Sequence, residues 1–333
     1  MMSRRATPSV SRRRARRATR RAKCLALGAG VVALVAGAVG VTVSLVASDG
    51  HPSESNTTTT IDPAQVGMNP FRTGHTLVIP HGGGDGLFPE NTMLAYTRTM
   101  AMGADVVDVD LQLTADDTLI AFHDATTDRI TGSAGNVHDM TYAQLSRLDA
   151  GYAFHPAGRA DLHPFRGTGI TIPTLESVLQ QFPTTLLSLD LKDESSAMVR
   201  PLCNLLRSYH RVDDVFVGSN SDDLILEFRT QCPSVRTSAT MVDVYASRNA
   251  RARNDTSWVP AVTVDQPPFR SNGRQLVDES SLAWAHAHDV AILPWVVNDE
   301  ADMRYLIGLG IDGIYTSYPD RLLRLLGRCT AAC

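Results

Sequence analysis

The sequence predicts an α/β protein whose eight parallel strands close into a barrel. Eight short apolar segments alternate with eight helical patterns, and strands that are separated by helices require a parallel sheet. Eight such strands can close on themselves, as in the TIM (β/α)8 barrel. Polar side chains follow nearly every apolar segment, which is typical of a barrel whose chemistry lies at the carboxyl ends of its strands. An open, doubly wound sheet is the alternative, but it would bring fewer of these side chains together.

The first four strand and helix pairs are predicted between residues 76 and 231. Apolar and β-branched runs mark the strands, and apolar residues at helical spacing mark the helices. Thr92 near the start of the first helix and Gly103 after its end are typical cap residues. The predicted strands cover 76–80, 105–111, 186–191 and 215–218, and the predicted helices cover 90–102, 175–181, 198–209 and 221–231.

The last four pairs follow without interruption, whereas residues 112–172 do not fit the alternation. These residues are predicted to form an insertion after the second strand, with a hairpin arm at 118–122, a short helix near 141–148 and a loop rich in Gly, Pro and His. The remaining predicted strands cover 235–240, 261–264, 290–296 and 313–315, and the remaining helices cover 242–251, 277–288, 301–309 and 321–326. The barrel domain is expected over 76–328.

The N-terminal segment predicts a membrane anchor. Residues 1–23 contain nine Arg and one Lys and no acid, and residues 24–47 form an uncharged stretch long enough to span a bilayer. Positive charge stays in the cytoplasm, so the rest of the chain is expected outside the cell, behind a polar linker over 48–75. The expected location is therefore the cell membrane, with a single span. A cleaved signal peptide is the alternative, and it would make the protein secreted.

Charge is unevenly distributed along the chain. The net charge is −4, but beyond residue 23 only 21 basic side chains remain against 35 acidic ones, so this part carries −14. Nucleic-acid binding needs a basic surface that neutralises phosphates, and the main domain is not expected to provide one. An acidic balance is compatible with a cleft that binds a cation.

Four of the five cysteines follow the predicted span. Three pairings of these four are possible. Cys203 and Cys232 are expected to pair because each lies on or next to one of two consecutive predicted helices, and Cys329 with Cys333 would close a small terminal loop. Disulfides suit the oxidising environment expected outside the cell. Four reduced thiols are the alternative if the domain is cytoplasmic.

Three aspartates at the ends of predicted strands suggest a metal site. Asp108 and Asp110 are two residues apart, so both carboxylates point to one side of a strand. Burying two like charges costs on the order of several kcal/mol, and a cation between them removes that cost. Asp190 ends the next strand, and carboxylate oxygens suit Ca²⁺ or Mg²⁺. A solvent-exposed acidic strand end is the alternative.

Two histidines and a lysine complete the predicted site. His81 and His123 each follow a predicted strand, and imidazoles suit general acid and base roles. Lys192 adds a positive charge suited to a phosphate oxygen. Because no Cys or Ser nucleophile accompanies them, the group predicts metal-assisted phosphodiester cleavage. Alternatively, His81 is a plain turn residue before three glycines, and Lys192 forms a surface ion pair with its acidic neighbours.

Short motifs along the chain resemble those of the glycerophosphodiester phosphodiesterase family. The matching segments are His81-Gly82-Gly83, Pro89-Glu90-Asn91-Thr92, Gly103-Ala104-Asp105, Asp108-x-Asp110, Thr114, His123-Asp124, Ile172-Pro173-Thr174-Leu175-Glu176, Asp190-Leu191-Lys192, Trp295-x-x-Asn298, Asp312-Gly313-Ile314-Tyr315-Thr316 and Pro319-Asp320. Each is weak alone, but in this order and spacing they are specific. The resemblance covers about residues 76–325 and implies a TIM barrel with a small insertion after strand 2.

The resemblance also implies roles for individual residues. The implied catalytic acid and base are His81 and His123, and the implied ligands of a divalent cation, Ca²⁺ or Mg²⁺, are Asp108, Asp110 and Asp190. The residues implied to bind or order the phosphate are Lys192, Glu90 and Asn91. Trp295 is either a substrate-stacking wall or barrel packing.

Four positions depart from the family pattern, and the mildest is Ser317 in Thr316-Ser317-Tyr318-Pro319, where the family pattern has Asp. Gly82 stands where the family usually has Arg, so a phosphate-binding guanidinium is missing. Asp108 and Asp190 stand where the family usually has Glu, and the shorter side chains draw the carboxylates back from a shared ion. We therefore expect a shifted or weaker cation site and a different affinity or choice of substrate.

The resulting expectation is a metal-dependent hydrolase that converts glycerophosphodiesters to glycerol 3-phosphate and an alcohol. A lysophospholipase D or a hydrolase of teichoic acid would keep the chemistry and change the substrate, and both suit a membrane anchor and the missing Arg. A catalytically inactive binding barrel is a third hypothesis, based on Gly82 and the shortened acids. The expected partners are a small-molecule or lysolipid phosphodiester and, through the N-terminal helix, the membrane.

Overall fold

Eight parallel strands carry the chain around a barrel in the predicted order. The computed structural model describes residues 69–193, 195–329 and 332–333. The barrel strands are β1 (Leu77–Pro80), β2 (Val106–Leu113), β4 (Leu186–Leu191), β5 (Val215–Ser219), β6 (Arg236–Thr237), β7 (Val264–Asp265), β10 (Ala291–Ile292) and β11 (Gly313–Thr316). The predicted (β/α)8 barrel is confirmed.

Helices follow the barrel strands on the outside and pack apolar faces against them. The helices are α1 (Met93–Met102), α4 (Leu175–Gln181), α5 (Val199–Ser208), α6 (Asp222–Gln231), α7 (Met241–Ala252), α8 (Glu279–Ala287), α9 (Glu300–Leu309) and α10 (Pro319–Leu325). The cap residues of α1 act as expected: the Thr92 hydroxyl accepts the Ala95 N–H, and Gly103 ends the helix in the left-handed conformation.

The barrel closes through regular ladders and a few single contacts. β2, β4, β5 and β6 form one parallel sheet, β1 pairs with β11, and β7 pairs with β10. The Asp105 N–H donates to Val78 O (3.0 Å) between β1 and β2, and the Tyr315 N–H donates to Pro294 O (3.0 Å) between β10 and β11. A bridge between Ser238 and Val264 joins β6 to β7.

Several strands are shorter than their apolar runs predict. The run at 290–296 yields only the two residues of β10 because Pro294 has no N–H to donate to a ladder.

Inside the barrel, Phe71 packs edge-on against Phe216, with ring centroids 4.8 Å apart. Both rings are fully buried, so the segment just before β1 contributes to the barrel core.

The insertion after β2 is a small layer with its own apolar core. β3 (Leu119–Ala121) runs antiparallel to β2, followed by α2 (Asp128–Thr131), a 3₁₀ turn (Val137–Asp139) and α3 (Tyr142–Leu145). The predicted helix near 141–148 is thus present but shorter. The buried cluster of the insertion consists of Ile120, Phe122, Ile130, Val137, Leu145, Ala150 and Ile172.

A hairpin before α8 does not appear in the predicted alternation. It consists of β8 (Arg270–Ser271) and β9 (Arg274–Gln275), which pair antiparallel. Asn272 and Gly273 between them have φ angles of 50° and 74°, as a tight hairpin turn requires. The Asn-Gly pair is the sequence signal for this turn, but the flanking residues are too polar and too few to suggest strands.

Both expected disulfides form. Cys203 on α5 joins Cys232, the residue after α6, with 5.7 Å between Cα atoms, and Cys329 joins Cys333. The first bond ties two neighbouring helices together inside a buried cluster. The extracellular position of the domain stays a prediction.

The predicted membrane span at 24–47 and the basic segment before it lie outside the described residues. Across 69–193, 195–329 and 332–333, every helix is too short or too polar to cross a bilayer.

Candidate active site

The carboxyl ends of β1 and β2 open into a polar cavity that the insertion covers on one side. Its volume is about 340 Å³. The residues that line it are His81, Gly82, Asp85, Glu90, Asp110, His123, Asp124 and Arg129. Both predicted catalytic histidines and four acids therefore share one cavity.

A glycine-rich turn positions His81 at the end of β1. The chain passes from Pro80 into a 3₁₀ turn (His81–Gly83), and Gly82 and Gly83 have φ angles of 52° and 85°, which glycine adopts without strain. A Cβ atom on Gly83 would lie 2.9 Å from that of Ala95, so the turn also packs tightly on α1.

Asp85 orients the His81 ring and favours its protonated form. Asp85 Oδ2 lies 3.1 Å from His81 Nδ1, which leaves Nε2 free to face the cavity. Burial alone would lower the pKa of His81, but the hydrogen bond to Asp85 and the negative charges of Asp108, Asp85 and Asp110 raise it to about 9. The imidazole is therefore protonated at neutral pH.

Asp108 and Asp110 lie buried side by side on β2, and each has its own hydrogen-bond donors. The Gly82 N–H donates to Asp108 Oδ2 (2.9 Å), and the Ser188 hydroxyl donates to Asp108 Oδ1 (2.8 Å). The Asn91 amide donates to Asp110 Oδ2 (2.7 Å). Burial and the charge of Asp110 nevertheless raise the pKa of Asp108 to about 6.

Buried hydroxyls and amides hold these donors in place. Asn91 Oδ1 accepts from the Asp110 N–H (3.0 Å) and from the Tyr96 hydroxyl (2.9 Å), so its amide orientation is fixed. Ser188 is held in the same way, because the Tyr315 hydroxyl donates to Ser188 Oγ at 2.8 Å. Asn91 thus contacts both the side chain and the backbone of Asp110, and its role at a bound phosphate stays a prediction.

Lys192 lies between two of the three predicted metal ligands. β2 and β4 are in parallel register, so Asp110 is directly opposite Asp190. The Lys192 ammonium is 2.6 Å from Asp190 Oδ2 and 3.1 Å from Asp110 Oδ1. Burial lowers the pKa of Lys192, but the charges of Asp110 and Asp190 outweigh it and raise the pKa above its usual value. The ammonium therefore stays charged.

His123 follows β3 and has a carboxylate partner of its own. Asp124 Oδ1 lies 2.7 Å from His123 Nδ1, which again leaves Nε2 for the cavity. Arg129, at the start of the insertion, donates to both oxygens of Asp124 at 2.6 and 2.9 Å. It also donates to both oxygens of Glu90 at 2.6 and 2.9 Å. The hydrogen bonds from Arg129 hold the pKa of Asp124 below its usual range.

Glu90 and Trp295, which are predicted to contact the substrate, each have a protein partner in the structure. Glu90 lines the cavity but is paired with Arg129. Trp295 is not among the cavity-lining residues; its indole N–H donates to Gln266 O at 2.7 Å and its side chain is 43% exposed. Trp295 thus belongs to the barrel rim, and its role as a stacking wall stays a prediction.

The three aspartates supply hard oxygen ligands, but their arrangement does not fit a shared ion. Both oxygens of Asp108 and both of Asp110 already accept hydrogen bonds or an ion pair, and Lys192 occupies the space between Asp110 and Asp190. In the part of the chain that the structure describes, no group of three His, Cys, Asp or Glu side chains is placed to hold a metal ion.

Sequence reasoning missed the residues that support the histidines. Asp85 and Arg129 have no distinctive spacing, since their partners are set by the turn after β1 and by the fold of the insertion. The sequence marks Asp124 only as part of the His123-Asp124 motif. The one signal for Arg129 is its position in the first helix after that motif, at a distance of five residues from Asp124.

Comparison with known proteins places the chain among phosphodiesterases. The model of the family described as "Glycerophosphoryl diester phosphodiesterase family" matches residues 81–321. A glycerophosphodiester phosphodiesterase of Bacillus subtilis is 29% identical over 73% of this chain and 84% of its own length. The lysophospholipase D GDPD1 of Rattus norvegicus is 24% identical over 76% of this chain and 87% of its own length.

Solved structures share the fold. A phosphodiesterase of Oleispira antarctica, solved in complex with the product sn-glycerol-3-phosphate, aligns with a TM-score of 0.59 and 21% identity. The alignment covers 76% of this chain and 97% of that one. At 21% sequence identity, this structural similarity confirms the barrel fold alone.

We expect the pKa of His81, measured by NMR, to be about 9 in the native protein. The folded-state pKa exceeds the unfolded value of about 6.5, so protonated His81 stabilises the fold fully below about pH 6.5, and this contribution is lost as the pH rises toward 9. Asp85→Asn removes the hydrogen-bonded negative charge and should move the pKa back toward 6.5.

The matched control is Asp161→Asn, an exposed acid of the insertion that does not line the cavity. It should leave the His81 titration unchanged. A His81 pKa near 6.5 in the unaltered protein would contradict the assignment.

Proposed function

The chain belongs to the glycerophosphoryl diester phosphodiesterase family, whose members are phosphoric diester hydrolases, and we propose that it hydrolyses glycerophosphodiesters to glycerol 3-phosphate and an alcohol. The observation that carries this proposal is the presence of two carboxylate-paired histidines, His81 and His123, in one cavity. Their free Nε2 atoms can act on opposite ends of the bond to be cleaved. The family relatives support the class of substrate.

His81 is proposed as the general acid. Its imidazole is protonated at neutral pH, since Asp85 and the acids of β2 raise its pKa to about 9. It can therefore donate the Nε2 proton to the alkoxide that leaves when the P–O bond to the alcohol breaks. Asp85 holds the ring so that Nε2, and not Nδ1, faces the substrate.

His123 is proposed as the general base. The Nδ1–H of its neutral tautomer is held by Asp124, so Nε2 accepts the proton of the attacking oxygen. This oxygen belongs either to water, which gives the products directly, or to the glycerol hydroxyl, which gives a cyclic phosphodiester that water then opens. In both routes the proton taken by one histidine is balanced by the proton given by the other.

Lys192 is proposed to stabilise the phosphoryl oxygens. The ammonium has three N–H groups, and its contacts with Asp110 and Asp190 use two of them. The third can donate to an equatorial phosphoryl oxygen, where negative charge increases in the transition state. These steps involve the chain's own residues only. None of them uses the predicted Ca²⁺ or Mg²⁺ ion, because the three aspartates are not arranged to share one.

His81→Ala and His123→Ala should each lower kcat/KM on glycerophosphocholine by at least about 100-fold, because each removes one proton carrier. The measurement is the release of glycerol 3-phosphate at neutral pH. His155→Ala, an exposed loop histidine, serves as the control and should leave the rate unchanged. If both active-site variants keep rates near that of the unaltered enzyme, the proposed mechanism is wrong.

Arg129→Ala should lower kcat by about tenfold to a hundredfold with KM changed little, since a misplaced base costs rate and not binding. Asp124 loses both hydrogen bonds from the guanidinium and no longer fixes the His123 ring. Arg129→Lys should recover only part of the rate because one ammonium cannot bind both carboxylates in bidentate geometry.

Arg147→Ala is the control for these variants, because Arg147 is an exposed arginine of the same insertion. Its kcat should equal that of the unaltered enzyme. A loss in Arg129→Ala that appears in KM alone would assign Arg129 to substrate binding instead of positioning.

A lysophospholipid is the second candidate substrate. The match to a lysophospholipase D and the exposed Trp295 at the barrel rim favour it, since an aromatic ring at the rim could contact an acyl chain. Comparing kcat/KM on glycerophosphocholine and on monomeric lysophosphatidylcholine separates the two. A higher value for the lysolipid, reduced in Trp295→Ala, would favour the second substrate; a higher value for glycerophosphocholine would exclude it as the preferred one.

A further inference from the structure

Lys192 occupies the position that a cation bridging Asp110 and Asp190 would need. Its ammonium nitrogen is 3.1 Å from Asp110 Oδ1 and 2.6 Å from Asp190 Oδ2. A bound Ca²⁺ ion would need carboxylate oxygens at about 2.3–2.6 Å, and Mg²⁺ would need them closer still. An ion on these two carboxylates would therefore overlap with the ammonium.

The ammonium is held firmly in this place. The Lys192 side chain is only 14% exposed, and the Lys192 N–H donates to Leu111 O at 3.0 Å, which fixes the backbone beside β2. Pushing the ammonium aside would separate a buried ion pair, and a partner left buried without its counter-charge is strongly destabilising. A divalent ion that entered beside the ammonium would face a like charge within a few ångströms.

The remaining predicted ligand does not offer an alternative site. Asp108 directs Oδ2 to the Gly82 N–H and Oδ1 to the Ser188 hydroxyl. Its nearest acidic neighbour along β2 is Asp110, whose Oδ2 accepts from the Asn91 amide. An ion shared by Asp108 and Asp110 would have to replace these buried donors, each of which is itself fixed by further contacts.

Lys192 is the one lysine of the described residues. The sequence contains two lysines, Lys23 and Lys192, and all its other Lys and Arg residues are arginines. The ammonium is a compact, point-like cation. It fits between the two facing carboxylates at 2.6 Å from Asp190 and 3.1 Å from Asp110.

We propose that Lys192 is the built-in cation of this site, which neutralises Asp110 and Asp190 and makes the site bind Ca²⁺ or Mg²⁺ only weakly. A divalent ion competes with the ammonium for the same two carboxylates. The inference rests on the site of the proposed function. It is tested by cation binding and not by turnover, so either the inference or the proposed function can be wrong while the other holds.

The test is isothermal titration calorimetry of the full chain with CaCl₂ and, separately, MgCl₂ at neutral pH. The unaltered protein should bind Ca²⁺ with a Kd above about 1 mM, the weak end of the range for protein calcium sites. Lys192→Met and Lys192→Gln remove the competing charge and should bind Ca²⁺ at least about tenfold more tightly. Thermal unfolding followed by circular dichroism shows whether each variant is folded.

Arg147→Met is the matched control, because it also removes one positive charge but from an exposed position of the insertion. It should bind Ca²⁺ as weakly as the unaltered protein. Equal Ca²⁺ affinity in the control and in a folded Lys192 variant would overturn the inference. If neither Lys192 variant folds, the test is the cation affinity of the unaltered protein. A Kd below about 0.1 mM for either ion contradicts a built-in cation.

Discussion

The structure of this site depends on the burial of two like charges on one strand. Asp108 and Asp110 are 4% and 3% exposed, and the geometry of β2 directs both carboxylates to the same side. Left uncompensated, such a pair would cost a large part of the stability of a domain. The compensation comes from several elements: a backbone N–H of the turn after β1, a hydroxyl on β4, an amide before α1 and the ammonium that follows β4. Four separate segments of the barrel are thereby tied to β2.

The two histidines have different charged neighbours. His81 faces the buried acids and its own Asp85, so its protonated form is stabilised. His123 pairs with Asp124, whose charge is balanced by Arg129. The proposed acid and the proposed base thus differ in their surroundings, while their side chains are identical.

The sequence predicts the barrel well because the alternation of strands and helices is a local property. His81, Asp108, Asp110, Asp190 and Lys192 lie near one another, since the ends of parallel strands meet at one rim. Their roles stay predictions. What the sequence could not show is how these residues pair. The contact of Lys192 with both aspartates depends on the register between β2 and β4, and one residue of slip would separate them. The spacing of the aspartates predicts a metal site but not the donors that already contact them.

The residue at position 82 alone does not decide whether the cavity contains a guanidinium. Gly82 predicts that the guanidinium is missing, but Arg129 supplies one from the insertion and pairs with Glu90. A Cβ atom on Gly82 would lie 3.6 Å from the Cβ of Glu90, on a backbone with φ of 52° that strains any other residue. A longer side chain there would approach a carboxylate that already binds Arg129 through both oxygens. The turn at Gly82 therefore leaves space beside Glu90, and Arg129 of the insertion lines the same cavity.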